Sequence, residues 1–278
     1  MDRPVITTFV ARRRTGRQRT PVTIAVPALL GFAFLLLPLV ALLIRAPWSQ
    51  LLSLLSTSDV LTALRLSLVC ATASTVVSLL LGVPVAWILA RVKVPGMGVL
   101  RALVTIPLVL PPVVGGVALL MALGRNGLVG RYLDRWFGLT LPFTTTGVVV
   151  AETFVSMPFL IVAVEGALRS SDLGLEEAAA TLGASRLTIF RRITLPLITP
   201  SLAAGSVLCW ARALGEFGAT ITFAGNFPGK TQTLTLKVYD ALQDDPDAAI
   251  ALSLVLLLVA VAVLAGLREN WLRPGPTS

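Results

Sequence analysis

The chain contains no histidine. With it go the side chain most often used as a general base near neutral pH and the commonest metal ligand. Cysteine is nearly absent too, with only Cys70 and Cys209 present. Each stands alone inside an apolar run, so neither a CxxC metal site nor a disulfide framework is indicated. Both read as small buried apolar residues. Charge is scarce: 13% of residues are charged against 55% hydrophobic, and the mean hydropathy is +0.87. A soluble domain is excluded on those terms. In place of charge the chain has long apolar segments, and roughly 20 apolar residues suffice to cross a hydrocarbon core of about 30 Å as a helix. Lipid offers unpaired backbone groups no partner, so the expected class is an all-α polytopic membrane protein.

Six segments have this character: 22–44, 64–90, 100–123, 145–168, 197–224 and 248–267. The first follows a cluster of arginines and could pass for a signal peptide. Its apolar run of 23 residues exceeds the roughly 7–15 of a cleaved signal, so a retained helix is expected. The resulting organisation is a basic tail over 1–21, a first transmembrane helix over 22–44, a transmembrane domain over 61–267 containing a long loop at 170–196, and a tail over 268–278. An even number of spans puts both termini on one side. The tails and the second-to-third and fourth-to-fifth loops carry fifteen Lys and Arg, against seven in the remaining loops. The positive-inside rule therefore places both termini in the cytoplasm. The net charge of +9 is explained by an anionic membrane surface without invoking nucleic acid. Prolines interrupt several spans, and in the third Pro111 and Pro112 precede Gly115 and Gly116. Such residues free backbone carbonyls that a water-lined cavity can satisfy, which makes this span a candidate for lining a pathway; a simple packing kink is the alternative.

The loop at 170–196 is the most informative stretch. Asp172 is placed to cap a helix in which Leu175, Ala178, Ala179 and Leu182 share one face. Gly183 ends that helix, and Ser185 is placed to cap a second, with Leu187, Phe190 and Ile193 as a stripe and Arg191 and Arg192 near its C-terminal end. The expected form is a compact cytoplasmic helix-turn-helix between two spans. Its fixed residues, Glu177, Ala178, Ala179, Gly183, Ile193, Leu195 and Pro196, resemble the "EAA" loop of ABC importer permeases. That resemblance implies a type-1 importer permease of six transmembrane helices, with the loop as a coupling helix docked on a separate ATPase subunit. The bland alternative is an amphipathic hairpin lying on the membrane. A second stretch, 214–239, is similar to the corresponding segment of molybdate permeases, with sulfate and thiosulfate permeases as relatives; it carries Thr235 where molybdate permeases often have proline.

Two further features invite functional readings. Residues 224–231 satisfy a relaxed nucleotide-binding loop pattern, but Pro228 removes a donor, a spanning helix rather than a strand precedes it, and the topology places it outside the cell. An extracytoplasmic turn is expected instead. In the fifth span Arg212 and Glu216 lie four residues apart. Each costs on the order of 2.5–3.5 kcal/mol at a helix centre, so they either pair to lock the bundle or give an anion pathway positive potential. Phe217, Thr220 and Thr222 complete the pathway or gate candidates. Glu152 and Glu165 are further carboxylates within a span, with no partner evident.

Together these readings point to a permease subunit at the inner (plasma) membrane that imports molybdate by alternating access, with sulfate, thiosulfate or tungstate as alternatives. The resemblance implies an ABC ATPase, an extracytoplasmic oxyanion-binding protein and a second copy of the chain as partners. No catalytic residue, metal or cofactor is expected in this chain, ATP and Mg belonging to the ATPase. An ion-coupled secondary carrier and an intramembrane hydrolase are the rivals, and neither accounts for the cytoplasmic hairpin.

Overall fold

The computed structural model describes residues 21–49 and 51–271, without the side chains of residues 55, 264 and 267–271. Apart from Pro21, the expected N-terminal tail lies outside the described residues, as does 272–278 of the C-terminal tail. Among the described residues every regular element is a helix. The chain divides into two units, 1–45 and 46–278. The first contains α1 (Val22–Arg45), an apolar helix of 24 residues, long enough to cross a membrane. The second contains α2 (Leu51–Leu55), α3 (Ser58–Arg91), α4 (Met97–Val109), α5 (Pro112–Leu123), α6 (Gly130–Phe137) and α7 (Thr145–Ser170). It continues with α8 (Leu173–Thr181), α9 (Arg186–Ile189), a π-turn (Phe190–Thr194), α10 (Leu195–Leu214), α11 (Gly218–Phe223), α12 (Leu234–Asp244) and α13 (Pro246–Trp271). Five helical stretches among the described residues are long and apolar enough to span, or six when α4 and α5 count as one broken span.

The core of the second unit is built by α3, α7 and α10. Along α3 the small residues Cys70, Ser74, Ser78, Gly82 and Ala86 recur at every fourth position and all are buried. In lipid, where apolar burial does not drive helices together, such a stripe lets backbones approach and gain dispersion contacts. A Cβ on Gly82 would lie 3.2 Å from Ile161 Cγ1 of α7. Two hydrogen bonds join polar groups within the contact: Thr153 Oγ1 donates to Ser74 Oγ at 3.2 Å, and the Cys209 thiol of α10 donates to Ser156 Oγ at 3.3 Å, whereas the buried Ser78 Oγ has no hydrogen-bond partner. Both cysteines are free and buried.

Two spans are broken, the third at the proline pair expected to interrupt it and the fifth where a continuous helix was expected. Between α4 and α5 the axis turns by 118°. Pro111 has no N–H to continue the ladder and pushes Leu110 to an extended ψ of 127°, while Pro112 starts α5 at a position where no donor is needed. The expected fifth span divides at Gly215, and its last part, α11, crosses α5 closely. A Cβ on Gly116 would sit 2.6 Å from Thr222 Cβ, and one on Gly218 2.8 Å from Pro112 Cβ.

At its other end the fifth span begins earlier than expected. Ser185 Oγ caps α9 by accepting from Thr188 N at 3.2 Å. The helix then does not stop after Arg192, because the π-turn carries it into α10, and Arg186–Leu214 forms one span. Pro196 explains the π-turn, since its missing donor is absorbed by a wider turn rather than by an end. Arg191 and Arg192 therefore lie within a continuous helix, not at a C-terminus.

Between α5 and α7, α6 is held by its charges. Arg125 Nε meets Asp134 Oδ2 at 3.1 Å. That hydrogen bond, with a second from Thr140, keeps the Asp134 carboxyl below the usual carboxylate range.

Candidate functional site

The loop at 170–196 folds as a protruding hairpin. Asp172 Oδ1 accepts from Gly174 N at 2.8 Å and starts α8. Gly183, at φ +84°, turns the chain, and nothing stands within 4 Å of where its Cβ would be. The α8 face expected from Leu175, Ala178, Ala179 and Leu182 is not buried against the spans. No residue of α8 is buried, Leu175 and Ala178 are exposed, and Leu182 at the turn is 89% exposed. Glu177 and Gly183 are exposed as well, whereas Ile193 and Leu195 are half-buried where the hairpin rejoins the bundle, with Pro196 exposed beside them. An apolar ridge is thus presented outward and Glu177 lines the cavity between the hairpin and α3, while Ile193 and Leu195 pack at the base.

Sequence reasoning missed the ion pairs behind the hairpin. Arg91, the last residue of α3, reaches Glu176 Oε1 at 2.7 Å. Arg101 of α4 donates to Glu165 Oε1 at 2.7 Å and to the Leu89 carbonyl of α3 at 3.3 Å, so Glu165 has its partner across helices. Glu176 stands next to a motif glutamate, and only the fold tells which of two adjacent carboxylates faces inward. Glu152 is buried on α7, and its Oε2 has no hydrogen-bond partner.

The second group surrounds the break after α10. Arg212 Nη1 and Glu216 Oε2 are 2.5 Å apart, the guanidinium side chain 28% exposed and the carboxylate 1%. Glu216 Oε1 also accepts from Ala219 N at 2.9 Å, so this carboxylate caps α11 while holding Arg212. Phe217 packs on Tyr239 with ring centroids 5.0 Å apart. The Thr222 hydroxyl is committed to the Gly218 carbonyl at 2.8 Å, and the buried Thr220 Oγ1 has no hydrogen-bond partner. Of these residues, Arg212 is the cation left partly open. Thr235 lies in the first turn of α12, where a proline would also be tolerated; its hydroxyl instead donates to the Leu214 carbonyl at 3.0 Å, tying α12 to the end of α10.

Residues 224–231 form no phosphate cradle. The N–H groups of Lys230, Thr231 and Gln232 all point to the Phe227 carbonyl, at 2.9–3.1 Å, and Asn226 is held by Asp240. Lys230→Ala is accordingly expected to leave ATP hydrolysis in a reconstituted complex unchanged, and a photoreactive ATP analogue is expected not to label the isolated chain. Labelling that disappears in Lys230→Ala would show that this loop holds nucleotide after all.

The broken spans, the small-residue core and the outward hairpin together define a multi-pass transport permease of the ABC importer fold. A solved bacterial ABC transporter that imports the acidic polysaccharide alginate superposes with a TM-score of 0.75 at 18% identity, covering 91% of this chain and 95% of that one. The alginate transporter in complex with an alginate pentasaccharide-bound periplasmic protein superposes with a TM-score of 0.69 over 91% and 93%. The chain belongs to the family of binding-protein-dependent transport system inner membrane components, which matches residues 78–274. Among its relatives is the molybdenum transport system permease protein ModB of Mycobacterium tuberculosis, 51% identical over 246 residues, 88% of this chain and 93% of that protein.

Proposed function

We propose that the chain is the permease subunit of an ATP-driven importer that carries molybdate across the inner membrane by alternating access. A separate ATPase subunit, which holds ATP and Mg, docks on the hairpin; an extracytoplasmic binding protein delivers the anion; two copies of the chain enclose the pathway; and both termini face the cytoplasm. The observation that carries this reading is the outward display of Leu175, Ala178 and Leu182 on α8, a helix that buries no residue. A surface of that kind calls for a protein partner, and it coincides with the residues that resemble the coupling loop. The 51% identity to ModB supports molybdate as the cargo.

Selection among dianions belongs to the binding protein, where a rigid ring of donors can discriminate. The pathway needs only weak contacts that let the ion leave. Arg212 would supply such a contact. Truncating it alone would strand the buried Glu216 charge, so the test uses Glu216→Gln as background, which keeps the acceptor for Ala219. In vesicles containing ATPase and binding protein, adding Arg212→Met should lower molybdate, tungstate and sulfate uptake together, by about tenfold if one charge-assisted contact is lost. A reversed preference between molybdate and sulfate would place selectivity in this chain. Uptake of amino acids or sugars with no oxyanion transport would overturn the cargo reading.

A further inference from the structure

Four segments meet around one ion pair. Arg91 Nη2, at the end of α3, donates to Glu176 Oε1 of α8 at 2.7 Å and to Ser171 Oγ, at the C-cap of α7, at 2.8 Å. Thr194 Oγ1, at the end of the π-turn, donates to the same Glu176 oxygen at 3.0 Å. Ser171 in turn donates to the Leu168 carbonyl at 2.9 Å, so its hydroxyl is oriented to accept from Arg91. The Arg91 and Glu176 side chains are only 11% and 20% exposed, and Thr194 is 2% exposed.

The surroundings give this junction its importance. α8 buries no residue, and among the helices its main neighbours are α9 and the π-turn, not α3, α4 or α7. Between the hairpin and α3 lies a cavity of about 800 Å³, walled by Pro84, Trp87 and Ile88 on one side and by Leu173, Ala180 and Leu187 on the other. The hairpin is therefore joined to α3 across a gap by a directional ion pair, where apolar packing would allow it to slide. On the far side, Arg101 joins α4, Glu165 of α7 and the Leu89 carbonyl of α3. A displacement of α8 entering at Glu176 thus reaches three spans that are themselves tied together.

We infer that Arg91 and Glu176 form a strut that passes the movement of the hairpin to α3 and α7, so that Glu176, and not the motif's Glu177, is the mechanical link. Both are positioning residues. Glu177 lines the same cavity as Glu176, while the α8 ridge of Leu175, Ala178 and Leu182 remains free for the ATPase, so docking and transmission use opposite faces of one short helix. The inference rests on the coupling role proposed for the hairpin.

The test uses the chain reconstituted with its ATPase and binding protein, and measures co-purification of the ATPase, ATP hydrolysis and molybdate uptake. Arg91→Met should co-purify with the ATPase and hydrolyse ATP, while uptake per ATP falls at least about tenfold, a change of about 1.4 kcal/mol in coupling. Arg91→Lys, which keeps the charge but not the planar guanidinium whose Nη2 donates to both Ser171 and Glu176, should recover part of it. The exchange Arg91→Glu with Glu176→Arg should recover more than either single change. Should Arg91→Met not accumulate, Glu176→Gln, similar in size but uncharged, is read in the same way. Unchanged uptake per ATP overturns the strut, as does loss of the ATPase from the complex, which would make Arg91 a support for docking. Gly183→Trp run in parallel separates the two levels. If it blocks uptake while Arg91→Met does not, only the strut is wrong; if neither does, the coupling role itself fails.

Discussion

Gly183→Trp should reduce ATP-driven uptake to background while the chain still inserts and remains folded. Gly183 holds φ +84° at the turn of the hairpin, a left-handed conformation that costs an L-residue roughly 1–2 kcal/mol. The turn is exposed, and nothing stands within 4 Å of the Cβ position, so the bundle has no steric reason to reject an indole. The obstruction falls on whatever approaches from outside. Leu182 beside it is 89% exposed, and a docking groove shaped for a bare turn would meet the ring first. Loss of a central contact of about 1.4 kcal/mol or more lowers affinity tenfold. Gly183→Ala, which adds the strain with little bulk, should retain most of the uptake. Vesicle uptake and co-purification with the ATPase are measured on the same preparations. Normal uptake by the Trp variant would remove the hairpin from the coupling mechanism.

Gly116→Val should have the largest effect on the folded protein itself. The Cβ position at Gly116 lies 2.6 Å from Thr222 Cβ, 3.0 Å from the Ala219 carbonyl oxygen and 3.1 Å from its Cα. Two of these three are backbone atoms of α11 and cannot rotate away. Relief requires α5 and α11 to separate, which would also give up the close packing of Gly218 on Pro112. Overpacking of this kind costs about 1–3 kcal/mol or more, so the melting temperature of the detergent-solubilised protein should fall by roughly 5 °C or more. Gly166→Ala, where no atom lies within 4 Å of the Cβ position, should leave it unchanged. Equal melting of Gly116→Val and the wild type would mean that the α5–α11 crossing is looser than described.

The two variants divide what could be read from sequence from what could not. The turn at Gly183 was legible because helix ends are local: Asp172 and Ser185 cap through contacts only two or three residues away. The crossing at Gly116 was legible only as a glycine after a proline pair. Its partner is more than a hundred residues distant in sequence, and no local pattern names Thr222 or Ala219. The small-residue stripe from Cys70 to Ala86 was available in the sequence as a four-residue period, a signal that a reading by hydropathy alone passes over. Arg212 and Glu216 were adjacent by helical spacing and do pair. That Glu216 also caps α11 required the helix to break at Gly215, which the continuous apolar run concealed.

By itself the sequence determined a membrane protein of six apolar segments with a capped hairpin in its longest loop, because bilayer thickness, proline chemistry and helix capping all act over short stretches of chain. It also carried the family pattern at Glu177, Ala178, Ala179 and Gly183. Only the tertiary structure decided which way that hairpin faces, which of two neighbouring glutamates reaches Arg91, and that Arg101 rather than Arg169 is the nearer partner of Glu165. The physical reason is common to all three. An ion pair or a face has meaning only relative to another helix, and the register between α3 and α7, from which these partners project, is set by the packing of small residues along α3, not by the few residues that finally touch.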